Sequence, residues 1–343
     1  MNGIDLRSDT VTKPTPEMRR AMYEAEVGDD GLEGDPTTQR LQELAAERVG
    51  MDAGLFVSSG SMGNLVASLS HVRPGDAMLI GRRSHMSWSV DQAHGHQTYG
   101  QVAVRMADER DGMLPLEDVE LALKDEAESG GRMSLVCIEN THNATNGMPL
   151  ELSYTHAVSD AARRHGAALH VDGARLFNAA EALGVPASRV VESADSVSFC
   201  LSKGLACPIG SILCGSEDFI EEARKQRKIV GGEMRPTGLM AAAGIVALES
   251  MIDRLGEDHE NARRLADGLA NIDGVGVEPD RVRTNIVFFD AVDRPVDDVV
   301  SALGDRGVHC FNIDGRIRMV THYEISSEDV DAALDAVKQV MES

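Results

Sequence analysis

Apolar positions along the chain alternate between two rhythms. Short continuous apolar runs at 54–58, 77–81, 134–138, 167–171, 196–201 and 209–214 are followed by turn residues, the pattern of buried parallel strands. Between them, apolar residues recur at helical spacing over 62–71, 115–127 and 152–165. Upstream, Asp35-Pro36-Thr37 reads as an N-cap with proline in the first turn, and Leu41, Leu44, Ala45 and Val49 carry the helix to Gly50. This alternation predicts an α/β domain with a largely parallel sheet.

The rhythm changes beyond about residue 250. Thr284–Phe289 and Arg316–Val320 read as strands, and Ser326 starts a last helix whose apolar stripe is Val330, Leu334, Val337 and Met341. Four or fewer packed elements in this tail suggest a small α+β domain resting on the large one. The predicted division is an N-terminal segment over 1–25, a large domain over 26–249 and a small C-terminal domain over 250–343. No low-complexity segment or repeat of fixed period interrupts it.

Composition narrows the function classes. A chain of 343 residues with 42% hydrophobic content can bury a sizeable core. Its net charge of -23 comes from 56 acidic and 33 basic residues, with the acids scattered along helical faces, which argues against nucleic acid and anionic membranes as partners. The five cysteines show no paired metal-ligand spacing, and several fall in apparent strands, so reduced core thiols and no metal are expected. No apolar run approaches the roughly 18 residues needed to cross a bilayer, and the expected location is cytoplasmic.

Three features carry chemistry. Asp172 closes one predicted strand and Lys203 follows another, so both would face the crevice at the carboxyl ends of a parallel sheet. A carboxylate favours a protonated pyridine, and a partly dry lysine can bond an aldehyde, a pairing that suggests pyridoxal 5'-phosphate. Only six basic residues are lysines, which makes one inside an apolar context notable. Ser58-Ser-Gly-Ser-Met-Gly-Asn64 follows a strand and opens a helix, where backbone amides can hold a phosphate. Taken singly, each feature also fits an ordinary structural role: two strand ends and a strand-to-helix turn.

A series of motifs extends this reading over nearly the whole chain. Asp5-Leu-Arg-Ser-Asp-Thr-Val-Thr-Lys-Pro-Thr15, Gly28-Asp-Asp30, Asp35-Pro-Thr37, Ser59-Gly-Ser-Met-Gly-Asn64 and Glu139-Asn-Thr-His-Asn143 are followed by His170-Val-Asp-Gly-Ala-Arg-Leu-Phe-Asn178, Ser196–Leu205 and Val320-Thr-His322. In this order they resemble the low-specificity L-threonine aldolases, within the aspartate-aminotransferase-like (fold type I) pyridoxal-phosphate enzymes. The resemblance implies that Lys203 bonds the cofactor, Asp172 pairs with its pyridine nitrogen, His85 lies over the ring, and Gly60 and Ser61 hold the phosphate. It further implies that Ser8, Arg175 and Arg318 grip the substrate carboxylate and that His142 lies near the β-hydroxyl. Arg175 could equally cap a helix, His85 pack in the core and Ser8 belong to a turn.

The expected activity is cleavage of L-threonine, L-allo-threonine or another β-hydroxy-α-amino acid to glycine and an aldehyde; alternatives are a β-eliminating lyase and a glycine-unit transaldolase. A homodimer or homotetramer with shared active sites is expected as well, with Arg235 of the basic cluster Arg227, Lys228 and Arg235 directed at cofactor phosphate or at an acidic loop. Departures from the family pattern are Gly31-Leu-Glu33, with no tyrosine at Leu32, then Ser89-Val90 in place of a Tyr-Glu pair, and Glu233 with Pro236 around Arg235. His94, His96 and Tyr99 add polar groups in the same region.

Overall fold

The structure, a computed structural model, describes residues 3–87 and 103–342. After β1 (Ile4–Asp5), the chain lays down β2 (Ala53–Val57), β3 (Ala77–Gly81), β4 (Ala103–Ala107), β5 (Met133–Glu139), β6 (Ala168–Asp172), β7 (Ser196–Cys200) and β8 (Ser211–Gly215). These last seven form one sheet in the order β2-β8-β7-β6-β5-β3-β4. Only β8 runs against its neighbours β2 and β7. The other pairings are parallel. Six strands therefore point one way, and Val57, Gly81, Ala107, Glu139, Asp172 and Cys200 end on one edge of the sheet.

The apolar runs form strands because both faces of the sheet are covered, so alternation is not required of them. Every residue of β3, β5, β7 and β8 is buried. Between strands, the helices Gly60–His71, Leu116–Glu128 and Leu152–Arg164 lie within two residues of the positions the periodicity predicts. The helix Pro36–Val49 begins with Asp35 accepting from Thr38 N, which satisfies one of its orphan amides. Sequence reasoning missed β4. It is an edge strand with partly exposed residues, and its Arg105 pairs with Glu126 at 3.0 Å instead of facing a core.

The small domain is richer than expected. Its strands are β9 (Val275–Gly276), β10 (Ile286–Ala291), β11 (Val308–His309), β12 (Phe311–Ile313) and β13 (Arg316–Val320). Four of them make an antiparallel sheet in the order β12-β13-β10-β9, while β1 pairs in parallel with β11. The helices Leu255–Leu269, Val296–Asp305 and Ser327–Glu342 pack against Val287, Phe289, Ile317 and Met319. The expectation of four or fewer elements is thus corrected. Strands of two or three residues leave no periodic signal, and the helix Leu255–Leu269 buries Asp258 and His259 among its apolar positions. Leu6 belongs to this same core, so the start of the chain is packed with its end. All five cysteines are free and buried, and among the described residues no helix is long and apolar enough to cross a membrane.

Candidate active site

The shared strand edge gathers the predicted residues. Asp172 is the last residue of β6, Lys203 follows β7 by three residues, and the helix Gly60–His71 starts just after β2. His85 follows β3, and His142 follows β5. Asp172 is 2% exposed, and both its oxygens have protein donors. Asn64 Nδ2 donates to Oδ2 at 2.7 Å and Ala174 N to Oδ1 at 3.1 Å. Asn64 lies inside the motif read for phosphate, and its contact with Asp172 was not foreseen. The Lys203 carbonyl accepts from Thr12 Oγ1 at 3.1 Å, which ties the N-terminal segment to the loop carrying the amine.

A helix N-terminus opens at the same strand edge. Ser59 caps the helix by accepting from Met62 N at 3.2 Å, and the first amides, Gly60 and Ser61, have no intrahelical acceptor. A Cβ on residue 60 would come within 2.8 Å of Cys200 Sγ, so glycine alone lets the helix start this close to β7. Ser211 Oγ, on neighbouring β8, is buried without a hydrogen-bond partner. A carboxylate for a pyridine nitrogen, an amine for an aldehyde and a helix N-terminus with an unpaired hydroxyl fit pyridoxal phosphate.

Beyond the end of β6 lies a guanidinium pair. Arg175 is buried and binds Asp9 through two contacts, Nε to Oδ2 at 2.7 Å and Nη2 to Oδ1 at 2.8 Å. Burial works against the Asp9 charge, but Arg175, Lys203 and the Asn285 amide hold its carboxyl at about 2. Asn143 Oδ1 bridges the two arginines, accepting from Arg175 Nη1 at 3.2 Å and Arg318 Nη1 at 3.1 Å. Burial and the neighbouring Arg175 push Arg318 down to about 10. Its Nε is buried without a partner, as is Asn285 Oδ1. Ser8 caps a single 3-10 turn, accepting from Thr10 N at 3.3 Å, next to Asp9.

Glu109, like Asp9, is an acidic residue to which sequence reasoning gave no role. It follows β4 and accepts from His142 Nε2 at 3.2 Å and from Arg83 N at 2.8 Å. A side chain at Gly81 would put its Cβ 1.9 Å from Glu109 Oε1, so the glycine at the end of β3 opens the space for this carboxylate. His142 Nδ1 meets Thr145 Oγ1 at 3.1 Å, so both ring nitrogens are engaged. Burial disfavours the charged ring, yet Glu139 and Glu109 outweigh it and raise the His142 pKa. Glu139 also accepts from His85 N at 2.6 Å and Asn143 N at 2.8 Å, which joins the loops after β3 and β5.

The basic cluster meets acids of its own chain. Arg227 is buried with Nη2 2.5 Å from Asp30 and Nη1 2.8 Å from the Phe56 carbonyl, so an acid of the same chain neutralises it. Arg235 is held by Asp29 at 2.9 Å and Glu233 at 2.8 Å, and Lys228 also meets Glu233. Of the two expected partners, cofactor phosphate or an acidic loop, the loop bearing Asp29 and Asp30 is the one these arginines meet, within the same chain. Leu32 is 78% exposed. Ser89, Val90, His94, His96 and Tyr99 lie outside the described residues. Among the described residues no cluster could hold a metal ion.

A lysine, an acidic residue and a helix N-terminus gathered at the carboxyl ends of a mostly parallel sheet define a pyridoxal-phosphate enzyme of fold type I. The beta-eliminating lyase family model matches residues 5–292. Low-specificity L-threonine aldolase 1 of Arabidopsis thaliana is 43% identical, over 99% of this chain and 97% of its own. The low specificity L-threonine aldolase of Escherichia coli is 40% identical, over 95% and 96%. Among solved structures, the Leishmania major threonine aldolase superposes with a TM-score of 0.82 at 20% identity, covering 98% of this chain and 99% of that one. The chain belongs to the low-specificity L-threonine aldolase family, within the beta-eliminating lyases.

Proposed function

We propose that the protein is a pyridoxal-phosphate-dependent aldolase that cleaves L-threonine, L-allo-threonine or a related β-hydroxy-α-amino acid to glycine and an aldehyde. The observation that carries the reading is the convergence of Asp172, Lys203 and the Gly60 helix start on one strand edge, with Arg175 three residues beyond Asp172 and joined to Arg318 through Asn143. When bound, pyridoxal phosphate supplies a protonated pyridine that accepts the electron pair of the bond broken at the substrate Cα. Lys203 is the amine that holds the cofactor, and Asp172 keeps a negative charge at the pyridine nitrogen. Gly60 and Ser61 would bind the phosphate through their amides, and His85 would contact the cofactor.

Arg318, with a buried Nε lacking a partner, binds the substrate carboxylate with help from Arg175 and Ser8. This fixes the bond between Cα and Cβ relative to the cofactor, and orientation selects which bond breaks. His142 takes the β-hydroxyl proton at Nδ1 once Thr145 Oγ1 gives way, while Glu109 holds the opposite nitrogen. Arg235, held by Asp29 and Glu233, is a further candidate for the cofactor phosphate. The five free, buried cysteines support a cytoplasmic location.

A homodimer or homotetramer goes with this reading. The exposed Tyr23, Val27, Leu32, Ile229 and Leu239 lie on elements close to the loops bearing Asp29 and Arg235, an apolar set suited to a second copy. Light scattering at low micromolar concentration should give at least twice 36.8 kDa; a fully active monomer removes the shared-site arrangement. For the activity, cofactor-loaded protein incubated with a panel of β-hydroxy amino acids should release glycine and aldehyde in equal amounts. Keto acid and ammonia in their place would identify a β-eliminating lyase, and no product from any member would end the proposal.

A further inference from the structure

Asp172 ends a buried hydrogen-bonded line that crosses behind the sheet edge. His71, at the last turn of its helix, stacks on Phe219 with ring centroids 4.4 Å apart and brings Nε2 to 2.8 Å from Ser196 Oγ. The same hydroxyl lies 2.8 Å from His170 Nδ1. His170 Nε2 is 3.1 Å from Asn64 Oδ1, which also accepts from Ser198 Oγ at 2.6 Å. Asn64 Nδ2 then meets Asp172 Oδ2 at 2.7 Å. Apart from the half-buried His71, every member is buried.

The polarity of this line is forced from its acidic end. A carboxylate only accepts, so Asn64 turns its NH2 to Asp172 and its oxygen to His170 and Ser198. An amide oxygen also only accepts, so His170 carries a proton on Nε2. Burial drives His170 down to about 3, with His71 pushing the same way, and drives His71 itself to about 4. Both rings are therefore neutral at neutral pH. His170 Nδ1 is then bare, and the Ser196 hydroxyl must donate to it. With that proton used, His71 Nε2 must donate to Ser196. Each hydrogen bond points toward Asp172, and chains of aligned bonds polarise one another in a dry interior.

We infer that His71, Ser196, His170 and Ser198 act through Asn64 as positioning residues that keep Asp172 an oriented anion for the cofactor's pyridine nitrogen. The inference rests on the cofactor reading above and adds to it four residues of the line behind Asp172. Their action is to favour the protonated pyridine, so their loss should slow bond breaking with little change in substrate binding.

The test uses 15N-histidine protein loaded with cofactor labelled at the pyridine nitrogen. NMR of the wild type should show His170 as the neutral tautomer with its proton on Nε2, and a pyridine nitrogen shift of the protonated form. His170→Leu, which can neither donate nor accept, should move that shift toward the unprotonated form and lower kcat roughly tenfold to hundredfold at nearly constant KM. His170→Gln, whose amide offers one donor and one acceptor, should restore most of both. A His170 proton on Nδ1 in the wild type, or a folded His170→Leu protein with unchanged pyridine shift and kcat, overturns the inference alone. The wild-type tautomer is readable even if variants do not fold. Wild-type protein that takes up no cofactor overturns the cofactor reading as well.

Discussion

Asp172 and Arg318 both belong to the candidate site, yet each oxygen of Asp172 has a protein donor while Arg318 keeps a buried Nε with no partner. The carboxylate Asp172 is fully supplied with donors as the chain folds. On the substrate side, two guanidiniums, Arg175 and Arg318, face one carboxylate, Asp9, and an unsatisfied donor buried there costs about 1–3 kcal/mol. One more anion, such as an amino acid carboxylate, would remove both deficits. Asp172 is preorganised by its own chain, whereas the arginine pair keeps the capacity for one more anion.

The comparison breaks most completely at the cofactor side. Lys203→Ala should abolish turnover and covalent cofactor attachment while leaving the far-UV circular dichroism unchanged, since no large core side chain is lost; activity in this variant would end the account. Asp172→Asn should still bind cofactor but lower kcat by about 10²–10³-fold, because a neutral amide cannot stabilise a protonated pyridine. Unchanged turnover would remove that role.

The substrate side should fail differently. Arg318→Leu should lower kcat/KM by roughly tenfold to a hundredfold, chiefly through KM, as a charge-assisted contact to the substrate is lost. Arg175→Leu should in addition destabilise the fold by about 3–5 kcal/mol, because it leaves Asp9 buried without its partner. Urea unfolding of the two variants separates them, and equal stability would contradict the assignment of Arg175 to Asp9.

The pair of Arg175 with Asp9 also has a pH signature. Asp9 is depressed from 3.8 to about 2, so its contribution is fully present above pH 4 and is lost as the pH falls through about 2. That contribution is roughly 2–3 kcal/mol. Urea midpoints of the wild type should drop across this window more steeply than those of Asp9→Asn. The smallest effect is expected at Glu109. Glu109→Gln removes an anion that raises the His142 pKa, so the pH profile of kcat/KM should shift to lower pH with the maximal rate kept within roughly tenfold. An unmoved profile would detach Glu109 from the reaction.

The large sheet was legible because apolar runs such as Met133–Glu139 and Ser196–Cys200 are buried on both faces, and burial leaves its mark on each residue of the run. The positions of Asp172 and Lys203 were legible because one ends such a run and the other follows one by three residues. Glu109 was not: in Asp108-Glu-Arg-Asp-Gly112 it reads as one of several turn acids, and its partner His142 is 33 residues away. Arg227 with Asp30, separated by 197 residues, was hidden for the same reason, which left the partner of the basic cluster open between cofactor phosphate and an acidic loop. The polar line behind Asp172 was spread over Asn64, His170 and Ser196, each reading as an isolated polar residue in an apolar segment. Strand ends announce themselves locally, whereas polar partnerships are made by the fold.

The central claim is that six parallel strand ends converge on one cofactor held by Lys203. Borohydride reduction of the cofactor-loaded protein, followed by peptide mass mapping, tests it most directly. The account predicts one reduced cofactor per chain, on the peptide containing Lys203; an unmodified Lys203, or the label on any of the other five lysines, would contradict it.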